Sequence, residues 1–259
     1  AGIGLLLVAA TLAVDLPRAS RGEFWGDSAT YHAMAWSLAE DLDLRFESRD
    51  LERIRREYPG GPQGLFLKRA SGGLTVEPGS GFPWVRRVRP DEGRLYYAKA
   101  LVHPLLAAPF VAVLETRCLL VANGLLLAGA LLLATAILRR RGLSPWSAAG
   151  VAAALCLLTV VPLYLVWGTP EILGFALITA ALAAWAFGRP LLAAALFGVA
   201  GYVKPPNVLM ALPLGIAPLL PAEGETLLGP GLARRVGESV RRGLVLVGVA
   251  GLLYGLNAA

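Results

Sequence analysis

The chain has 259 residues, a length that suits one or two water-soluble domains, but 56% of them are hydrophobic, 16% are charged and the mean hydropathy is +0.61. A soluble domain keeps charged residues nearer a quarter of the total, so this composition excludes an ordinary soluble enzyme. The net charge of +6 would fit a nucleic-acid partner, yet residues 15–100 hold 14 bases against 13 acids and the other bases lie in short clusters between apolar runs. That placement points to membrane topology and away from phosphate-backbone binding, so no nucleic acid is expected.

In chain order, the apolar run 1–14 is shorter than the ~20 residues a full crossing needs. It lacks the basic flank and cleavage site of a signal peptide, and is read as a truncated first transmembrane helix. The apolar run reaching Ala259 gives the same expectation of a fragment at the other end. Residues 15–99 form a large charged loop. Within it, Asp27 precedes Tyr31, Met34, Ala35 and Leu38, the i, i+3, i+4, i+7 stripe of an amphipathic helix over 27–40 with Asp27 as its N-cap. A charged stretch 47–57 is expected to be a solvated helix. Residues 65–69 and 74–77, around Ala70-Ser71-Gly72-Gly73, predict a small hairpin, and 59–64 and 78–84 read as loops.

Residues 100–115 are apolar but interrupted by Pro104 and Pro109, and are read as an interfacial helix. Further crossings are expected at 118–138, 146–166, 170–188, 190–203, 207–220 and 243–259, with Lys204-Pro205-Pro206 breaking the chain between two short ones. A linker, 221–242, joins the last two. Placing Arg139, Arg140 and Arg141 in the cytoplasm also puts Arg189 and Arg234, Arg235, Arg241 and Arg242 there, which is eight of the ten bases outside the large loop. The loop 15–99, Lys204 and the turn at Trp167–Pro170 then face outward. The predicted fold class is an all-α polytopic membrane protein of about seven transmembrane helices with a mixed extracytoplasmic loop after the first. Cys118 and Cys156 both fall in apolar runs and read as buried free thiols.

Asp27 follows the first helix closely and would sit at the membrane–water boundary, where a carboxylate can take a proton from an acceptor hydroxyl. Asp is equally a preferred helix cap. Glu40, Asp41 and Asp43 could hold a metal, but a solvated helix end accounts for them as well, so no metal ligand is assigned and a divalent metal stays open. Glu171 after Thr169-Pro170 fits helix-start chemistry or a substrate contact. Lysine is scarce, three against 21 arginines, which singles out Lys99 and Lys204. Lys204 at a helix end can meet a lipid phosphate or snorkel to the head groups. His103 before Pro104 is a further candidate contact. Trp25, Trp84 and Trp167 read as belt residues near the outer boundary.

The run Gly26-Asp27-Ser28-Ala29-Thr30-Tyr31-His32-Ala33-Met34-Ala35 resembles the first outer loop motif of the GT-C class of membrane glycosyltransferases, the superfamily of protein mannosyltransferases and aminoarabinose transferases. Tyr96-Tyr97-Ala98-Lys99-Ala100-Leu101-Val102-His103-Pro104-Leu105-Leu106-Ala107-Ala108-Pro109-Phe110 resembles the segment that leads those chains through an interfacial helix into the second span, and Lys204-Pro205 a later basic–proline step. The resemblance covers the layout of nearly the whole chain, in short motifs. It departs at Ser28, where many relatives carry Glu.

What the resemblance implies is an inverting sugar transfer from a polyprenyl-phosphate-linked donor to an acceptor hydroxyl of a lipid, glycan or protein. Asp27 would be the general base, and Tyr31, Lys99, His103, Glu171 and Lys204 would contact substrate, at the outer face of a bacterial inner membrane. Two other classes remain, a transporter or flippase of lipid-linked glycans and a non-catalytic membrane assembly subunit. Nearly charge-free spans and the absence of an inverted repeat weigh against transport.

Overall fold

A computed structural model of the chain describes residues 2–69, 73–76, 85–88, 94–221, 229 and 231–256. It is mostly helical, with a small mixed layer near the N-terminus. The first helix, α1 (Gly2–Ala13), packs against α6 (Arg117–Arg140) through small residues. A Cβ on Gly4 would lie 3.2 Å from Ala128 Cβ, and one on Gly124 would lie 3.2 Å from Thr11 Oγ1. Close approach of this kind, rather than water expulsion, is what holds apolar helices together in lipid.

Between these two helices comes the loop layer. A short turn of helix, α2 (Leu16–Ala19), leads to β1 (Phe24–Trp25) and α3 (Gly26–Trp36). The expected helix 27–40 is thus α-helical only to Trp36 and finishes in a π-turn, Ser37–Asp41, closed by Leu42 at φ +54. Ala29 to Ala35 are all buried, so α3 is enclosed on every side and not merely along the expected stripe. Asp27 does not cap it. Trp25 holds the N-cap position without a side-chain bond, Gly26 takes φ +59, and Asp27 lies in the first turn with its carboxylate directed elsewhere.

After β2 (Arg45–Phe46), α4 (Ser48–Glu57) starts with a reciprocal cap between Glu47 and Asp50. The expectation of a wholly solvated helix is corrected here, because Asp50, Ile54 and Glu57 face inward. Glu57 joins three elements. It bonds His32 Nε2 at 2.7 Å and receives the Thr116 backbone N–H at 2.9 Å and its hydroxyl. Asp41 is held by Arg53 and Arg49, and Asp43 by the Ser37 hydroxyl and the Arg45 N–H, so both are bound up in local packing.

The expected hairpin of 65–77 is also corrected. After β3 (Pro62–Gln63, parallel to β1), β4 (Leu67–Arg69) pairs antiparallel with β7 (Leu95–Tyr97), which also pairs with β2. The strand β5 (Gly73–Val76) pairs with β6 (Val85–Val88) instead. Tyr96 and Tyr97 are fully buried at the middle of the three-stranded sheet, and burying those two rings favours the long-range register over the local turn. Residues 70–72, 77–84 and Trp84 among them lie outside the described residues.

The chain then enters α5 (Val102–Leu114), which lies on α3 and α6 and reverses at Glu115 (φ +50) into α6. Beyond α6 come α7 (Pro145–Leu157) and a 3₁₀ segment Val161–Val166, α8 (Glu171–Ala186) and α9 (Pro190–Val203). A 3₁₀ stretch Pro205–Ala211 then precedes α10 (Leu212–Ile216), and α11 (Leu232–Leu256) follows. Among the described residues two helices, α6 and α11, are long and apolar enough to cross a membrane. The other apolar helices have 10–17 residues. The expected span 146–166 is a 13-residue helix followed by bends and a separate 3₁₀ segment, and 207–220 is mainly 3₁₀. The expected linker 221–242 is shortened, since α11 begins at Leu232 and pairs Glu238 with Arg241 and Arg242 at helical spacing. Residues 222–228 and 257–259 lie outside the described residues. Cys118 and Cys156 are buried free thiols. Large apolar side chains face outward on α1, α7 and α11, including Leu5, Trp146, Leu155, Leu244 and Leu252.

Two outcomes test this packing. A Cβ on Gly198 would come 2.6 Å from the Leu246 carbonyl, so Gly198→Ala should separate α9 from α11 and lower stability by about 1–3 kcal/mol in thermal unfolding. Gly243→Ala, where an added Cβ meets nothing within 4 Å, should leave it unchanged or slightly raised. For Glu57, burial alone would raise the carboxyl pKa, but the His32 and Thr116 donors outweigh it and hold it below the ordinary 4.5. A depressed folded value gives stability that is complete above 4.5 and lost as pH falls through the folded value. Glu57→Gln should therefore lower the melting temperature at neutral pH and flatten its decline in acid.

Candidate functional site

The six residues singled out from the sequence come from four separate segments, and the fold brings them to one end of the helices. Asp27, in the first turn of α3, pairs through Oδ1 with Lys99 Nζ at 2.7 Å. Lys99 follows β7 and its ammonium lies 3.7 Å from the centroid of the Phe66 ring, a cation–π contact that fixes the side chain from its other side. The Asp27 carboxylate is 43% exposed, so it is held in place yet open to a ligand.

One helical turn further along α3, Tyr31 is buried and meets the His103 ring edge-on at 5.4 Å. Burial raises its phenol pKa well above the ordinary value, and the charges of Asp27 and Glu171 raise it further. Tyr31 is thus a neutral phenol acted on by both carboxylates. His103, at the start of α5, is fully buried and bonds through Nε2 to Asn123 Oδ1 at 3.0 Å. A carboxamide oxygen only accepts, so Nε2 carries the proton. Burial, partly offset by that bond, keeps the imidazole well below its usual pKa and therefore neutral.

The other half of the rim comes from α8 and α9. Glu171 opens α8 and pairs with Lys204, the residue that ends α9, at 2.5 Å. Pro205-Pro206 stops α9 at that point, which leaves the lysine side chain at the mouth, 44% exposed. Thr169, expected to cap α8, does not: Pro170 takes that position with no side-chain bond. The turn before α8 is seated on the start of α3, because a Cβ on Gly168 would lie 2.9 Å from Leu119 Cδ1 and 3.4 Å from Ser28 Cβ. Trp25 and Trp167 are both more than half exposed nearby in the chain.

Three residues that hold this arrangement were not singled out from the sequence. Asn123, inside α6, sends its amide N–H groups to the carbonyls of Trp167 (2.9 Å) and Tyr164 (3.2 Å) while accepting from His103. Its signal was available, as a lone carboxamide in an apolar helix. Tyr202 on α9 accepts the Leu101 backbone N–H at 2.9 Å, tying α9 to the start of α5. Phe66 carried no signal at all. Among the described residues no group of three or more acids, histidines and cysteines is placed to hold a metal.

No protein-family model, curated protein or solved structure matches this chain.

Each half of the site sets an ammonium beside a carboxylate, Lys99 with Asp27 and Lys204 with Glu171, and all four side chains keep some exposure. The geometry of the site depends on Asn123. Replacing Asn123 by Ala leaves the buried His103 N–H without its acceptor, at about 1–3 kcal/mol, and takes a donor from the Trp167 and Tyr164 carbonyls. The expected result is a markedly lower melting temperature in detergent, measured beside Thr135→Ala on the same helix, whose hydroxyl only bonds its own turn.

Proposed function

We propose that the protein is a membrane glycosyltransferase of the GT-C kind, moving a sugar from a polyprenyl-phosphate donor to an acceptor hydroxyl at the extracytoplasmic face of a bacterial inner membrane. The observation that carries this is that the part-exposed pairs Asp27–Lys99 and Glu171–Lys204, from distant parts of the sequence, both act on Tyr31, which is buried against His103. Asp27 is oriented by Lys99 at 2.7 Å while its carboxylate stays 43% exposed, which supports a role in contact with substrate.

Membrane insertion is supported by the outward-facing leucines of α1, α7 and α11, since exposed apolar surface on that scale is costly in water. In this reading the helices make about seven crossings, with α5 lying along the outer interface. Segments such as 145–166 and 205–219 cross as broken helices, tolerated where neighbouring helices cover the irregular backbone. The arginine clusters Arg139–Arg141, Arg189 and Arg234–Arg242 then face the cytoplasm, and the loop 15–99 faces out.

In the reaction, Asp27 accepts the proton of the acceptor hydroxyl as its oxygen attacks the anomeric carbon. The C–O bond to the lipid phosphate breaks on the opposite face, and configuration inverts. Lys99 keeps the carboxylate oriented. An ammonium has three donors, so Lys204 can keep Glu171 and still meet the departing phosphate. Phosphate is a good leaving group already, so most of the rate gain comes from holding the reactants together.

The test uses the purified full chain in proteoliposomes with a panel of polyprenyl-phosphate sugars. Asp27→Asn should lower transfer by about 10²–10⁴-fold while donor binding and melting temperature stay near wild type. Near-normal turnover in that variant overturns the assignment.

A further inference from the structure

A second feature lies at the other end of α6, about 26 Å along the helix from Asn123. Two cavities run between α6 and α8. One, of about 380 Å³, reaches from α5 along Gly129, Ala130 and Ala176. The other, of about 560 Å³, continues past α9 to Arg140, Phe187 and Arg189. Leu133 and Ala180 line both, so they form one groove. Its walls are apolar until the end, which Arg140, Phe187 and Arg189 line. Arg140 lies over Phe187 with its guanidinium carbon 5.2 Å from the ring centroid, which directs it across the groove mouth. Among the described residues neither arginine makes an ion pair with an acid. The start of α9 adds its positive end, since Arg189 precedes Pro190 at the first helical position.

We infer that this groove binds an anionic glycerophospholipid, with the phosphate between Arg140 and Arg189 and one acyl chain along Leu133 and Ala180 toward Gly129. The dimensions agree. From Arg140 back to Gly129 the helix rises about 16 Å, close to half of the ~30 Å hydrocarbon thickness that one leaflet supplies. An apolar trough closed by two cations fits a molecule with one long apolar arm and one anionic head. A zwitterionic lipid brings its own cation beside the phosphate and leaves the two guanidinium groups with an excess of positive charge, and a free anion would leave the trough unfilled. The site is remote from Asp27 and requires only that α6 and α8 lie in a bilayer, not that the chain transfers sugar.

The experiment titrates the full chain in neutral detergent with phosphatidylglycerol and with phosphatidylcholine of the same acyl chains, counting bound lipid by native mass spectrometry. Phosphatidylglycerol should bind preferentially. Arg140→Gln and Arg189→Gln should each cut that preference roughly fivefold, the double variant should abolish it, and lysine at both positions should retain it. Ala180→Phe, which fills the groove where the two cavities meet, should lower binding of both lipids without changing the arginines. Asp27→Asn should bind like wild type, which separates failure here from failure of the transferase assignment. Equal affinity for the two lipids, an undiminished preference in the double glutamine variant, or displacement by glycerol phosphate as effective as by the whole lipid would overturn the inference.

Discussion

A carboxamide inside an apolar helix has no water to fall back on, and that constraint at Asn123 organises the end of the molecule where the candidate site lies. Its oxygen and both of its N–H directions are used, on His103 of α5 and on two carbonyls of the turn before α8. Each of those bonds is strengthened by the low local dielectric, and each would be costly to leave unmade. Through them, α6 sets the distance between two segments that are far apart in sequence. His103 is then where Tyr31 can rest against it, and Glu171 is at the mouth where Lys204 ends α9.

The charges around this scaffold come in opposite pairs. Asp27 with Lys99 and Glu171 with Lys204 leave the rim nearly neutral while keeping four charged side chains at one end of the helices. Partly exposed pairs contribute little to stability in themselves. Their value is positional, because an ammonium already oriented and partly solvated needs little reorganisation to meet an incoming anion. Tyr31 and His103 between them are both kept neutral by burial, so they add shape and hydrogen bonding without further charge.

Much of this was legible in the residues. Apolar runs marked the helices, scarcity marked Lys99 and Lys204, and the stripe after Asp27 marked α3. What escaped was whatever depended on distant partners. Ser71-Gly72-Gly73 has local turn chemistry, but the strand at Leu67–Arg69 pairs with residues near Tyr96 because two tyrosine rings need burying there. Thr169 and Asp27 both have the side chains of caps, yet Pro170 and Trp25 hold the cap positions, without side-chain bonds. The arginine-rich stretch before 243 has the charge of a linker, but its acids and bases recur at helical spacing, and Glu238 pairs with Arg242 within α11.

The π-turn at Ser37–Asp41 separates two parts of the loop that answer to different demands. Upstream of it, every residue of α3 from Ala29 to Ala35 is buried, so any rotation of the helix would disturb close packing. The wider turn takes up one additional residue and delivers Asp41 to Arg53 and Arg49 without disturbing that face. It acts as a phase adjuster between the helix that bears the carboxylate and the arginine-rich surface of α4. Length variation at this position would be absorbed as a change in winding, leaving Asp27 where it stands.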